Sequence, residues 1–228
     1  MMKKILRSIV LTIVMIYPTT TFANQQFIVD YFKNFQTLEA NFTQEISTKD
    51  RKDTTSGELI IDKGSVESFI DSSTKGTSQQ GKMGAQNPKF LFDYTKPYHQ
   101  ILVSNGVKFW FYDVDLMQVI IKPIQEVINN PVLQILLSNE ALSDNFNIQT
   151  VRDRREYLLT PKFVNNDMEI TDIQVIFANR KIYSFKVQDM TGQTISFVVK
   201  SVVENRAVDA SRFEFQMPAG VDVIDETK

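Results

Sequence analysis

The chain contains no cysteine, which excludes a disulfide framework, a thiol nucleophile and any thiolate-bound metal. A single histidine, His99, leaves no multi-histidine metal site within one chain, and neither metal nor cofactor is expected. An excess of one charge is also missing. The 25 basic and 27 acidic residues give a net charge of −2, so there is no electrostatic footprint for nucleic acid. No apolar run reaches the roughly 20 residues that a membrane span requires. Catalytic signatures are just as scarce. No G-x-S-x-G elbow surrounds a serine, and no GxxxxGK[ST] phosphate loop occurs. His99 therefore reads as a structural or surface residue. Asp113 and Asp115 read as turn formers, and Arg152, Arg154 and Arg155 as a solvated turn. No constellation of nucleophile, base and oxyanion donors assembles, and no catalysed reaction is expected.

What is present is an ordinary globular composition, 43% hydrophobic and 23% charged over 228 residues, enough for one sizeable domain. The first residues stand apart. Lys3, Lys4 and Arg7 precede a short apolar stretch, Ile9 to Tyr17, ended by Pro18, and Thr21-Phe22-Ala23 supplies small residues for a cleavage site. Residues 1–23 are thus expected to be a cleaved signal peptide, with one domain over 24–228 and export to the periplasm. The remaining chain carries 22 basic and 27 acidic residues, a net charge of −5.

From residue 24 to about 41, Phe27, Ile28, Tyr31, Phe32, Phe35 and Leu38 recur at spacings of three and four, predicting one amphipathic helix. From Asn41 the period becomes two at Phe42, Gln44 and Ile46, and Glu58–Asp62 is a second strand. The polar run from Thr48 to Ser56 predicts the connection between them. Residues 64–88 read as a loop insertion rich in Gly, Ser, Gln and Lys. A brief strand is expected there at Val66, Phe69 and Ile70, and a loop from Ser72 to Asn87.

Aromatic residues then crowd together. Phe90, Phe92, Tyr94, Tyr98, Phe109, Trp110, Phe111 and Tyr112 lie within 23 residues. Four strands are predicted, at Phe90–Tyr94, Tyr98–Ser104, Val107–Asp113 and Leu116–Lys122. Asn105-Gly106 is a hairpin signal because both residues tolerate positive φ. Alternation puts Phe90, Phe92 and Tyr94 on one face, and sets Phe109 and Phe111 opposite Trp110 and Tyr112. A short helix follows from Pro131 to Leu137, with cap oxygens offered by Asn129 and Asn130, then a helical turn near Leu142-Ser143-Asp144. Further strands are predicted at Phe146–Val151, Glu156–Thr160, Asp172–Phe177, Ile182–Gln188 and Thr194–Val203, turning at Asn179-Arg180 and Thr191-Gly192. A helical turn at Asp209–Arg212 and a closing strand at Phe213–Phe215 end the pattern. Mainly β with helices (α+β), the chain is expected to form an incomplete antiparallel barrel of about eleven strands, covered by helices. An apolar interior of this kind holds either side chains or a ligand. In an exported protein the ligand that most needs shelter from water is an acyl chain.

The order of motifs resembles the LolA family of periplasmic lipoprotein carriers. Phe90, Phe92, Tyr94, Pro97 and Gln100 precede Ile101-Leu102-Val103-Ser104-Asn105-Gly106, and Trp110, Tyr112, Asp113, Asp115, Leu116, Gln118 and Val119 continue the match. Pro131, Leu159-Thr160-Pro161, Asp189, Gly192-Gln193, Asp209, Phe213, Phe215, Pro218, Gly220 and Val221-Asp222-Val223 complete it. The resemblance implies a half-barrel with a helical lid, acting as a monomeric carrier for the acyl chains of outer-membrane lipoproteins. Its expected partners are an inner-membrane ABC-type releasing complex and an outer-membrane lipoprotein receptor. Phe90, Phe92, Tyr94 and Leu102 are the expected acyl-binding residues of the concave face, with Ile135 and Leu136 from the lid. The family's lid-holding arginine falls nominally on Gln86, with Lys89 the nearest cation, and the stretch from Gly57 to Phe90 is about 20 residues longer than the family spacing. The alternatives are a lipid- or lipoprotein-sensing module on a related half-barrel, or a lipid-acting enzyme.

Overall fold

The aromatic stripe of the first helix sets the inside of the molecule. The computed structural model describes residues 20–64, 88–127, 131–137, 142–162 and 170–227. Helix α1 (Thr20–Asn34) begins ahead of the expected cleavage point after Ala23. It buries Ile28 and Phe32, with Phe35 just past its end, while Phe27 and Tyr31 pack against the same core.

The helix stops well short of residue 41. Strand β1 (Thr37–Ser47) takes over, and Leu38 is its second residue. Leu38 lies three residues after Phe35 and so continues the helical stripe in sequence. It also starts a period-two set in which Leu38, Ala40, Phe42 and Gln44 are all buried. Backbone pairing decides between the two. β1 is hydrogen-bonded along its length to β2 (Lys52–Asp62) and to β11 (Thr194–Glu204), which outweighs local periodicity. The same pairing corrects the expected connection over Thr48–Ser56. Lys52 already pairs with Ser47, and only residues 48–51 turn.

β3 (Lys89–Lys96), β4 (Gln100–Ser104), β5 (Lys108–Asp113) and β6 (Gln118–Pro123) form the expected meander. In its β4–β5 turn only Gly106 has positive φ, +87°. Asn105 instead uses its side-chain oxygen, accepting from the amides of Val107 and Lys108 at 3.0 and 3.1 Å. Three short helices follow, α2 (Ile124–Val127), α3 (Pro131–Leu137) and α4 (Leu142–Asn145). Then come β7 (Phe146–Arg152), β8 (Glu156–Pro161), β9 (Ile170–Ala178) and β10 (Lys181–Asp189). The expected strand at Val66, Phe69 and Ile70, the loop Ser72–Asn87, and the cap residues Asn129 and Asn130 lie outside the described residues.

Among the described residues the expected eleven antiparallel strands are joined by a twelfth, which is parallel. β12 (Asp222–Asp225) runs alongside β6 in parallel register from Asp222↔Gln118 to Asp225↔Ile121. The sheet order is β12-β6-β5-β4-β3-β2-β1-β11-β10-β9-β8-β7, so β12 and β7 are edges and the sheet is open. The closing strand expected at Phe213–Phe215 does not form. Asp209 accepts from the Ser211 amide at 3.0 Å and caps a 3-10 turn at Ala210–Phe213, which drops the fully buried Phe213 onto Ile60, Leu91 and Val103. Burying that ring on the outer face is worth about 1.5–3 kcal/mol and seats the turn in place of the three-residue strand.

Candidate functional site

Pleating sends alternate side chains to opposite faces, and the sheet's two faces have different fates. On the outer face Trp110 and Tyr112 pack on Phe215, with ring centroids 5.9 and 5.8 Å apart. On the concave face Phe90, Phe92 and Phe109 join the main core. The aromatic cluster is thus split by alternation, with Tyr94 and Phe111 also packed on the inner core and Trp110 and Tyr112 turned away from it.

The concave face holds a cavity of about 190 Å³. From β3 and β4 it is lined by Phe90, Phe92, Tyr94 and Leu102. Leu59 of β2 stands beside its cross-strand partner Phe92, and Phe185 of β10 with Ile195, Phe197 and Val199 of β11 line the rest. Val127 of α2 with Leu133 and Leu136 of α3 cover it. Five of the six residues expected at an acyl-binding face therefore meet around one space. The sixth, Ile135, is buried in the same core but does not line the cavity. Successive residues of a helix this short point about 100° apart, so Leu136 and Ile135 cannot both face one point.

Residues from β2, β10 and β11 were absent from the expected set. The two-residue alternation of Phe185 with Val187, and of Ile195, Phe197 and Val199, was visible as a pattern. Nothing in it revealed that β11 would pair with β1 and bring those residues opposite Phe92.

One polar pair breaks the apolar wall. Tyr94 Oη donates to Gln44 Oε1 at 2.7 Å, satisfying the buried amide oxygen. Burial pushes the Tyr94 phenol up to about 12, so it is neutral and donating at physiological pH. Rings stack along the strand from there, Tyr94 on Phe92 at 6.4 Å and Phe92 edge-on to Phe90 at 5.9 Å.

A buried cation sits at the helical cover. Gln86, the nominal lid-holding position, lies outside the described residues. Lys63, just past β2, is fully buried. Its Nζ donates to Phe32 O at 2.6 Å and lies 4.0 Å from the centroid of the Phe35 ring. Burial lowers this ammonium to about 8. A helix C-terminus carries partial negative charge, so a cation there is favoured. Tyr31, on the same helix, donates to Glu204 and accepts from the Ile182 amide at 3.2 Å. Burial, followed by the Glu204 hydrogen bond, raises its pKa well above the ordinary phenol range.

The remaining candidates lie elsewhere. His99 Nε2 is 3.1 Å from Asp93 Oδ1 on a half-exposed turn. Asp113 accepts from Gln100 Nε2 at 2.9 Å and from the Leu116 amide at 3.0 Å, and the Gln100 hydrogen bond leads in holding its carboxyl below the usual range. It shapes the β5–β6 turn. Among the described residues no helix is long and apolar enough to cross a membrane, and no three His, Cys, Asp or Glu residues cluster as a metal site.

Comparison with known proteins points to one family. The family model described as "Outer membrane lipoprotein carrier protein LolA" matches residues 68–216. An outer-membrane lipoprotein carrier protein of Chromohalobacter salexigens is 34% identical over 151 residues, covering 64% of this chain and 71% of that relative. One of Francisella philomiragia is 32% identical over an alignment of 230 residues, covering 98% of this chain and all of the relative. Among solved structures, a LolA superfamily protein from Nitrosomonas europaea shares 11% identity and covers 86% of this chain and 99% of its own, with a TM-score of 0.41.

Proposed function

The chain belongs to the LolA family of outer-membrane lipoprotein carrier proteins, and we propose from this that it carries lipoproteins by enclosing their acyl chains in the concave cavity. The observation that carries the reading is the wall of Phe90, Phe92, Tyr94 and Leu102 facing Phe197 under the cover of Leu133 and Leu136. Cleavage after Ala23 delivers residues 24–228 to the periplasm as one carrier domain, in which 64–88 is an insertion. Cargo comes from an inner-membrane ABC-type releasing complex and leaves to an outer-membrane receptor. The protein works as a monomer and catalyses no reaction.

The size of the cavity bears on how cargo enters. Ligand pockets commonly span about 300–1,000 Å³, and the cavity of about 190 Å³ is smaller than that. Loading therefore displaces α2 and α3, whose Val127, Leu133 and Leu136 occupy the space an acyl chain would take. Burying each methylene is worth about 0.8 kcal/mol, so several chains far outweigh the apolar contacts that the cover loses.

The test adds polar bulk to the cavity. Leu102→Glu and Phe92→Gln should abolish release of lipoproteins from inner-membrane vesicles, while thermal midpoints and circular dichroism show a folded chain. Normal release by folded variants would overturn the assignment of these residues.

A further inference from the structure

The turns joining β7 to β8 and β9 to β10 lie side by side. β8 and β9 are paired neighbours, and the Phe177 amide donates to Arg155 O at 2.7 Å. Together these turns gather Arg154, Arg155 and Arg180 around one pocket of about 530 Å³, whose wall includes Phe177 and a single carboxylate, Asp153. Elsewhere in the chain Arg51, Arg152 and Arg212 are each ion-paired, to Asp53, Glu156 and Glu58. Arg154, Arg155 and Arg180 have no ion-pair partner among the described residues. Arg180 rests 5.5 Å from the centroid of the Phe27 ring. On its far side a second groove holds Asp30 and Glu204, and the Glu204 carboxylate accepts from Tyr31.

The backbone points the same way. Arg154 has φ of +53°, Asn179 of +51° and Arg180 of +64°. Asn179-Arg180 is a two-residue turn between the paired Ala178 and Lys181, a geometry in which glycine is favoured at the second position. Arginine in the left-handed region is strained where glycine is not. Two of the three cations thus occupy positions at which folding alone would prefer glycine. Their side chains gather like charges around one pocket, an arrangement an anion would relieve.

We propose that Arg154, Arg155 and Arg180 form a binding site for a phosphate group, free or as the headgroup of an anionic phospholipid. Planar guanidinium forks grip phosphate oxygens in pairs, and all three side chains lie on exposed turns. The pocket shares no lining residue with the apolar cavity, so the site stands independently of how cargo is held.

Inorganic phosphate titrated into the ¹⁵N-labelled protein at constant ionic strength should give saturable shifts at residues 153–155 and 177–181. The R154G/R180G variant should keep or raise the thermal midpoint while weakening phosphate binding by about tenfold or more, separating charge from fold. R155Q keeps the test open should the glycine variant unfold, and is expected to weaken binding in the same direction. Flotation with vesicles of phosphatidylglycerol and phosphatidylcholine, against phosphatidylcholine alone, distinguishes the sources. Shifts with flotation on the anionic vesicles identify a headgroup, and shifts without flotation identify soluble phosphate. An equal response to chloride, or phosphate affinity unchanged in the folded variants, overturns the site.

Discussion

Lys63 Nζ donates a 2.6 Å hydrogen bond to the main-chain oxygen of Phe32, tying the end of β2 to the last turn of α1. This places an ammonium group where no water reaches it, and burial depresses it to about 8. Below that pH the lysine is charged both folded and unfolded, and the cost of burying the charge is fully present. Between about 8 and 10.5 the unfolded chain binds more protons than the folded one, so stability rises with pH. The gain is bounded at roughly 3 kcal/mol. Urea denaturation across about pH 7 to 10 should show this rise in the natural chain, and Lys63→Met should flatten it. Equal slopes would remove Lys63 as the titrating group. Beyond pH 10 the raised Tyr94 acts with the opposite sign. The unfolded phenol loses its proton first, and stability falls as pH climbs towards 12.

The hydrogen bond between Tyr94 and Gln44 is the next expectation. Tyr94→Phe leaves the buried Gln44 side chain without its donor, and should cost about 1–3 kcal/mol. Gln44→Leu combined with Tyr94→Phe makes the wall wholly apolar and should recover most of that loss. A double-mutant cycle by chemical denaturation reads the coupling, expected near 1 kcal/mol or more. Additive single-site losses would mean that the pair is not coupled.

Gly57 is required by close approach. A Cβ there would lie 1.9 Å from the Asp93 carbonyl oxygen and 3.0 Å from the Tyr94 Cα. Both neighbours are backbone and cannot swing aside, and the β2–β3 register shifts between Ser56 and Gly57. Gly57→Ala should destabilise by about 3 kcal/mol or more and, through Tyr94, disturb the cavity wall. Thermal unfolding is the measurement, and an unchanged midpoint would contradict this β2–β3 contact.

The segment after β11 is held by a ring more than by a charge. Arg212 pairs with Glu58 at 2.6 Å, with side chains 42% and 40% exposed. Arg212→Ala should therefore cost less than about 1 kcal/mol. Phe213 is fully buried, and Phe213→Ala should cost about 3–5 kcal/mol. Denaturation midpoints that reverse this order would show that the ion pair, not the ring, seats the segment.

Much of the fold was legible along the chain because its cause is local. Period-two alternation set Phe90, Phe92 and Tyr94 on one face and separated Phe109 from Trp110, and the open sheet preserves both assignments. Asn179-Arg180 and Thr191-Gly192 marked turns between alternating runs, and Gly192 has φ of +85°. Five of the six residues expected from the family resemblance line one cavity. Leu38 could not be placed, since a spacing of three from Phe35 and a spacing of two before Ala40 are equally good local patterns, and only the ladders to β2 and β11 choose between them. Pairing of β1 with β11 joins segments about 150 residues apart. That is why Phe185, Ile195, Phe197 and Val199 reach the cavity unannounced. Other contacts between separate elements bury Lys63 against the end of α1 and, through the β8–β9 ladder, bring Arg180 beside Arg154 and Arg155. Alternation, caps and turns follow from neighbouring residues, whereas which surfaces face each other depends on hydrogen-bond ladders between distant segments, and those were decided by the tertiary structure.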